Sequence, residues 1–150
     1  MQRDYNFYNP MDEAEAPTDS RGFRNFCGDS NTYDFMGVRL FTKTVTRTDH
    51  RNNLRKLALT RAEGEKILQY LNPTRGETDI LRRGESCLSI PVIDEQTRSQ
   101  YYWGLKGVNS SYVLEGTSSF FNDRNMNINN FPVGGEINFG WRSEALHISL

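Results

Sequence analysis

The chain has 150 residues and a formal net charge of −1 at pH 7. This is the length of one ordinary domain, which can bury a core without metal or disulfide cross-links. The near-neutral total does not by itself predict nucleic-acid binding. Residues 1–17 are too polar for a signal peptide, so we expect none, and no apolar run approaches membrane-spanning length.

The charges are unevenly distributed along the chain. Residues 1–34 contain seven acidic and three basic residues, whereas residues 35–61 contain seven basic residues and one acidic residue, Asp49. Disordered tails are usually poor in aromatic residues, but the acidic segment has several. Its candidate anchors are Tyr5, Phe7, Tyr8, Phe23 and Phe26. We therefore predict an irregular docking arm over residues 1–34, although two solvated charged surfaces would give the same pattern.

Residues 38–47 (VRLFTKTVTR) are rich in β-forming residues and predict a first strand over about 35–48. Alternate side chains of a strand lie on opposite faces. The residues on one face would be Arg39, Phe41, Lys43, Val45 and Arg47. Cations beside a ring that can stack on bases are typical of single-stranded nucleic-acid binding. The alternatives are an ordinary solvent-exposed face or an edge strand protected by its charges.

The cationic region continues past this strand, so the candidate surface is longer than the strand itself. The candidate residues for binding nucleic acid or an acidic partner are Arg39, Phe41, Lys43, Arg47, Arg51, Arg55 and Lys56. The acidic arm of the same chain or of a neighbouring subunit is one such partner.

The clearest local signal is the capping box at residues 60–63 (TRAE), in which threonine and glutamate each satisfy the other's backbone N–H. It predicts a helix over about 61–71 that ends at Asn72, which precedes a proline. Before this helix we predict a turn over 48–53 and a short strand over 54–59 that completes a hairpin with the first strand.

The rest of the chain predicts β-structure. After a polar loop over 74–85, the predicted strands are 86–93, 100–106, 111–116, 136–141 and 145–150. Pro91 places the first of these at a sheet edge or a bulge. A turn at 107–110 joins the second and third, and the five asparagines of residues 122–130 indicate a loop.

These elements predict one β-rich domain over residues 35–150. Its class is α+β, mostly β: an antiparallel sheet or a sandwich- or barrel-like domain with one main helix. Tyr101, Tyr102 and Trp103 could form a second stacking platform, although core packing explains at least two of these three aromatic residues better.

No catalytic set is complete in this sequence. Residues 146–150 (LHISL) resemble the hydrophobic-His-x-Ser-hydrophobic motif of two-histidine phosphoesterases, in which two such motifs surround a phosphate. His147 would belong to one motif, but His50 is followed by Arg51 and not by x-Ser/Thr, so the second motif is missing. Cys27 and Cys87 have no C-x-x-C spacing. We predict no cofactor and no metal site.

The leading hypothesis is a non-enzymatic structural or interaction protein that acts as a subunit of a homo-oligomer or larger assembly. A virus or phage structural protein fits this description, and the expected location is the cytoplasm or a virion, with no membrane partner. The alternative is a single-stranded nucleic-acid-binding module that uses residues 38–47. A phosphoesterase-like enzyme is the third hypothesis.

Overall fold

The computed structural model describes residues 36–150, so the predicted arm over residues 1–34 and its aromatic anchors lie outside the described part. That part contains seven strands and four short helices. The strands are β1 (Val38–Thr44), β2 (Lys56–Leu59), β3 (Leu88–Asp94), β4 (Gln100–Val108), β5 (Ser111–Glu115), β6 (Glu136–Arg142) and β7 (Ala145–Ser149). The helices are α1 (Arg47–Arg51), α2 (Arg61–Leu71), α3 (Arg75–Arg82) and α4 (Ser118–Asp123).

All seven strands belong to one sheet, in the order β1–β6–β7–β3–β4–β5–β2. The pair β3–β7 is parallel, and the pairs β2–β5, β3–β4, β4–β5 and β6–β7 are antiparallel. The β-rich α+β class is therefore confirmed, but the sheet is mixed and does not close into a barrel. One main helix is not confirmed, because four short helices are present in the described residues.

Capping boxes begin three of the four helices. Thr60 and Glu63 cap α2 as expected, and the predicted helix over 61–71 is confirmed. Thr74 and Glu77 cap α3 in the same way, so the predicted loop over 74–85 is wrong for residues 75–82. The reason is local. The Thr-x-x-Glu pattern at 74–77 satisfies unpaired N–H groups at the start of α3, as the pattern at 60–63 does at the start of α2.

The first strand is shorter than predicted. β1 ends at Thr44, because Thr46 caps α1 through a third capping box with Asp49. The predicted hairpin is also wrong, since β2 pairs with β5 at the far edge of the sheet, with Lys56 opposite Glu115. A helix between the two strands removes the tight turn that a hairpin needs.

Pro91 lies within β3, an internal strand between β7 and β4, so the predicted edge position is wrong. Its Cα partner on β4 is Tyr102, and pairing of β3 with β7 begins one residue later, at Val92. The proline therefore precedes the part of β3 that has a partner on both sides, where a missing N–H would cost a ladder bond.

Aromatic side chains of α4 fill the centre of the core. Phe120 is fully buried and makes edge-to-face contacts with Tyr101, Trp103 and Phe121, with ring centroids 5.9, 5.7 and 5.1 Å apart. These contacts fix α4 under β4. The residues that join β5 to α4 are thereby fixed as well.

Asp94, at the end of β3, makes the stability of the fold sensitive to acid. Burial alone would raise the pKa of this carboxyl, but hydrogen bonds from Arg124 (2.6 Å) and from the Gln96 backbone N–H (2.9 Å) hold its pKa below the usual value. A lowered folded-state pKa stabilises the fold above the unfolded value, about pH 4, and the contribution is lost as the pH falls through the folded value.

We therefore expect Asp94→Asn to lower the melting temperature at pH 7, and the difference from the wild type to shrink as the pH falls from about 4 to 2.5. Thermal melts of both proteins across this range measure it. Subtracting one protein from the other removes the contribution of the remaining carboxyl groups. A difference that is constant with pH would contradict the assignment.

Candidate nucleic-acid interface

The basic segment, residues 47–56, consists of α1, the turn that follows it and the first residue of β2. On α1 the exposed residues Arg47 and Arg51 are four positions apart, so they lie on the same helix face. The other face points inward: Asp49 is buried, and the His50 imidazole forms a 2.8 Å hydrogen bond with the Phe131 carbonyl.

The turn after α1 has strained backbone. Asn53 and Leu54 have φ angles of 54° and 58°, in the left-handed region that non-glycine residues rarely adopt. The Leu54 side chain is nevertheless buried in the core, and its N–H donates to the Asp49 carbonyl at 3.0 Å. Such strain costs on the order of 1–3 kcal/mol per residue and persists only where the surroundings hold it. It therefore marks this turn as one held in a defined shape.

Asp49 connects the elements on either side of this segment. Its carboxylate accepts hydrogen bonds from the backbone N–H groups of Thr46 (2.9 Å) and Ala58 (2.7 Å), and it forms a 2.9 Å ion pair with the buried Lys43. The end of β1, α1 and β2 thus meet at one buried carboxylate. This arrangement fixes both ends of the basic segment, which carries the exposed arginines.

The same ion pair determines the charge that the segment presents to solvent. Asp49 is the only acidic residue between positions 47 and 56, and Lys43 neutralises it inside the protein. Arg47, Arg51 and Arg55 are exposed and form no ion pair with another residue of the range 36–150. Lys56 lies 3.5 Å from Glu115, an exposed contact that contributes little. The outer surface of the segment is therefore cationic.

A sheet face with exposed and half-buried residues adjoins the basic segment. Residues of β4 alternate between buried and exposed or half-buried positions, and β3, β5 and β2 follow the same rule. Lys56, Glu115 and Gly104 form one row across three strands of this face. Tyr102 lies two residues from Gly104 on the same face, about 7 Å along the strand, and it is 71% exposed. An exposed aromatic ring therefore lies on the same sheet face as Lys56, two strands away from it.

The predicted cationic face of the first strand is wrong. Lys43 is buried, Arg47 belongs to α1, and the Phe41 ring is half-buried and stacked on Phe139 with centroids 4.8 Å apart. Arg47 leaves the strand because β1 ends at Thr44, and Lys43 is buried against Asp49, with which it forms an ion pair.

The other candidate binding residues remain on the surface. Arg39 is exposed on β1, and the structure brings Arg47, Arg51, Arg55 and Lys56 together within one continuous segment. Of the predicted second aromatic platform, Tyr101 and Trp103 are buried and only Tyr102 is exposed. Alternation along β4 could have identified Tyr102, because its two neighbours are the ones that face the core.

The two histidines have different settings. His147 is buried in β7, where Nδ1 lies against the Glu95 carboxylate and Nε2 is 3.2 Å from the Arg142 carbonyl. His50 is instead hydrogen-bonded to the Phe131 carbonyl. Both nitrogens of His147 are thus engaged, so the ring is poorly placed to reach a phosphate ester.

Cys87 is an exposed free thiol, and Cys27 lies outside the described residues. No group of three or more His, Cys, Asp or Glu residues among positions 36–150 is arranged to hold a metal ion. In the same range, every helix is too short or too polar to cross a membrane.

Comparison with known proteins identifies a similar fold. No protein-family model matches the sequence, and no curated protein matches it. The structure is similar to a chain of the Arabidopsis FUS3–DNA complex, with a TM-score of 0.50 and 20% sequence identity over 74% of this chain and 94% of that chain. At this identity the similarity concerns the fold.

Proposed function

We propose that this protein binds DNA through the basic segment and the adjoining sheet face that carries Tyr102. The observation that carries the proposal is the set of exposed arginines, Arg47, Arg51 and Arg55, which have no acidic partner among residues 36–150 and are held on a helix face and a strained turn. Pre-positioned cations of this kind are suited to phosphate groups. The similar fold of the FUS3 chain, which is described in a DNA complex, supports the proposal.

The basic segment shares only Arg47 with the surface predicted over residues 38–47. The cations that support binding come after the first strand and not from alternate positions along it. The assembly hypothesis depended on residues 1–34, which the structure does not describe, and the comparisons offer it no support. DNA binding is therefore the function that the described residues support best.

The test is a titration of fluorescently labelled DNA, double-stranded and single-stranded, between 50 and 200 mM salt. If the four cations of the basic segment each neutralise one phosphate, log K should fall against log salt with a slope of about −3.6 on duplex DNA, which corresponds to a loss of affinity of about 100-fold over this range. No binding at 50 mM salt, or a slope near zero, would overturn the proposal.

Tyr102 distinguishes the two forms of DNA. Stacking of an unpaired base on its exposed ring would make Tyr102→Ala cost about 1–3 kcal/mol on a single strand, whereas paired bases stacked inside a duplex are not available to it. We expect the loss on single-stranded DNA alone, with Tyr102→Phe as the control that keeps the ring. An equal loss on both forms would show that the ring does not stack on a base.

A further inference from the structure

Thr117, at the junction between β5 and α4, is fully buried and lies outside the basic segment. Its hydroxyl donates to the Leu54 carbonyl at 2.6 Å, and its backbone N–H donates to the Arg55 carbonyl at 3.3 Å. One residue therefore holds two successive carbonyl groups of the strained turn. The core contacts of Phe120 fix the helix that Thr117 precedes, so the support itself is rigid.

The strained turn needs this support. The left-handed φ angle of Leu54 is costly for a bulky residue, whereas asparagine at position 53 tolerates this region better. A hydrogen bond from the Leu54 N–H to the Asp49 carbonyl ties the turn to α1, and one from the Arg55 N–H to the Asn52 carbonyl closes the turn on itself. Those bonds come from within the basic segment, whereas the bonds from Thr117 attach the turn to the rest of the fold. Without the hydroxyl, the Leu54 carbonyl loses its 2.6 Å donor, and the turn can relax towards ordinary backbone angles.

We propose that Thr117 is a positioning residue for DNA contact, which acts by fixing the direction in which Arg55 leaves the turn. This inference rests on the proposed function, because it assigns Thr117 a role in the same site. A cation that is already in place contacts phosphate without a further entropic cost of ordering the chain. When the turn relaxes, Arg55 keeps its charge but loses its position.

The experiment compares Thr117→Val, which removes the hydroxyl and keeps the shape, with Thr117→Ser, which retains it. At fixed salt we expect Thr117→Val to weaken duplex DNA binding about tenfold, a difference of about 1.4 kcal/mol, and to reduce the salt slope by about one. Thr117→Ser should restore both values. A loss of folded protein alone would lower the active fraction and leave the dissociation constant and the slope of the remaining protein unchanged.

The decisive measurement is made in an Arg55→Gln background. If Thr117 acts through Arg55, adding Thr117→Val to Arg55→Gln should weaken binding by less than twofold, because the group that it positions is gone. The matched control is Thr78→Val on α3, which also removes a hydroxyl that donates to a backbone carbonyl, that of Thr74 at 3.0 Å. This control should leave the affinity unchanged.

The outcomes separate this inference from the proposed function. If the wild type does not bind DNA, the proposed function is wrong and the inference falls with it. If the wild type binds DNA but Arg55→Gln has no effect, the inference is overturned, while phosphate contacts by Arg47 and Arg51 stand. If Arg55→Gln weakens binding but Thr117→Val does not, the site stands and the role of Thr117 is overturned. Full additivity of Thr117→Val and Arg55→Gln also overturns it.

Discussion

Replacing Arg47, Arg51 and Arg55 together by glutamine is expected to remove most of the affinity for DNA. Each phosphate contact contributes about 0.9 to the salt slope on duplex DNA, so the slope should become shallower by about 2.7 and the affinity at 0.1 M salt should fall by roughly 100- to 1,000-fold. The three side chains are exposed, and exposed substitutions change stability by about 0.5 kcal/mol or less. The melting temperature should therefore remain within a few degrees of the wild-type value.

The matched control changes the same amount of charge elsewhere. Arg75, Arg83 and Arg98 are also exposed, and all three lie outside the basic segment. Replacing them by glutamine changes the net charge equally, so long-range attraction of DNA falls by a similar amount in both triple variants. We expect the control to retain most of its affinity and its full salt slope. An equal loss in both variants would mean that binding depends on the total charge and not on the basic segment.

Substitution of Asp49 by asparagine should be among the most destabilising single changes in this fold. The carboxylate accepts two backbone hydrogen bonds and pairs with Lys43, whose side chain is also buried. An amide of the same shape leaves the lysine charge unpaired in the interior, which typically costs about 3–5 kcal/mol. Urea unfolding at pH 7 measures this loss, which is a large part of the 5–15 kcal/mol typical of a domain.

Lys43→Met is the companion variant. The double variant Asp49→Asn with Lys43→Met should lose less stability than the sum of the two single changes, because no unpaired buried charge remains. Additive losses would contradict the buried pair. In DNA titrations of folded protein, Lys43→Met should keep the salt slope, because a buried ammonium group does not reach a phosphate. A slope that becomes shallower by about one would instead restore Lys43 as a phosphate contact.

The starts of three helices follow from short sequence patterns. The Thr-x-x-Glu pattern at residues 60–63 predicts α2 correctly, and the same pattern at 74–77 begins α3, where only a loop is predicted. At 46–49 the pattern contains aspartate in place of glutamate, within a segment rich in β-forming residues, and there it begins α1. In all three cases the signal is present in the sequence, because capping joins residues three apart.

The candidate site is harder to predict than the helices. The cluster of arginines is visible in the sequence, and most of the residues named from it are on the surface. The sequence does not show which of them face solvent. Lys43 and Arg47 would lie on the same face of the predicted strand, yet only Arg47 is exposed. Lys43 pairs with Asp49 in the interior, and the Leu54 carbonyl of the turn accepts a hydrogen bond from Thr117, 63 residues away along the chain.

Local patterns in this chain therefore specify the β-rich class, the start of α2, the turn between β4 and β5, and the excess of positive charge in residues 35–61. These features involve neighbours within a few positions, so short windows of sequence contain their cause. The tertiary structure alone specifies that β2 pairs with β5, that Lys43 turns inward, and that Asn53 and Leu54 keep left-handed backbone. Strand pairing and the hydrogen bond from Thr117 to the Leu54 carbonyl join residues far apart in sequence, and the Lys43–Asp49 pair forms only once α1 is packed against the end of β1.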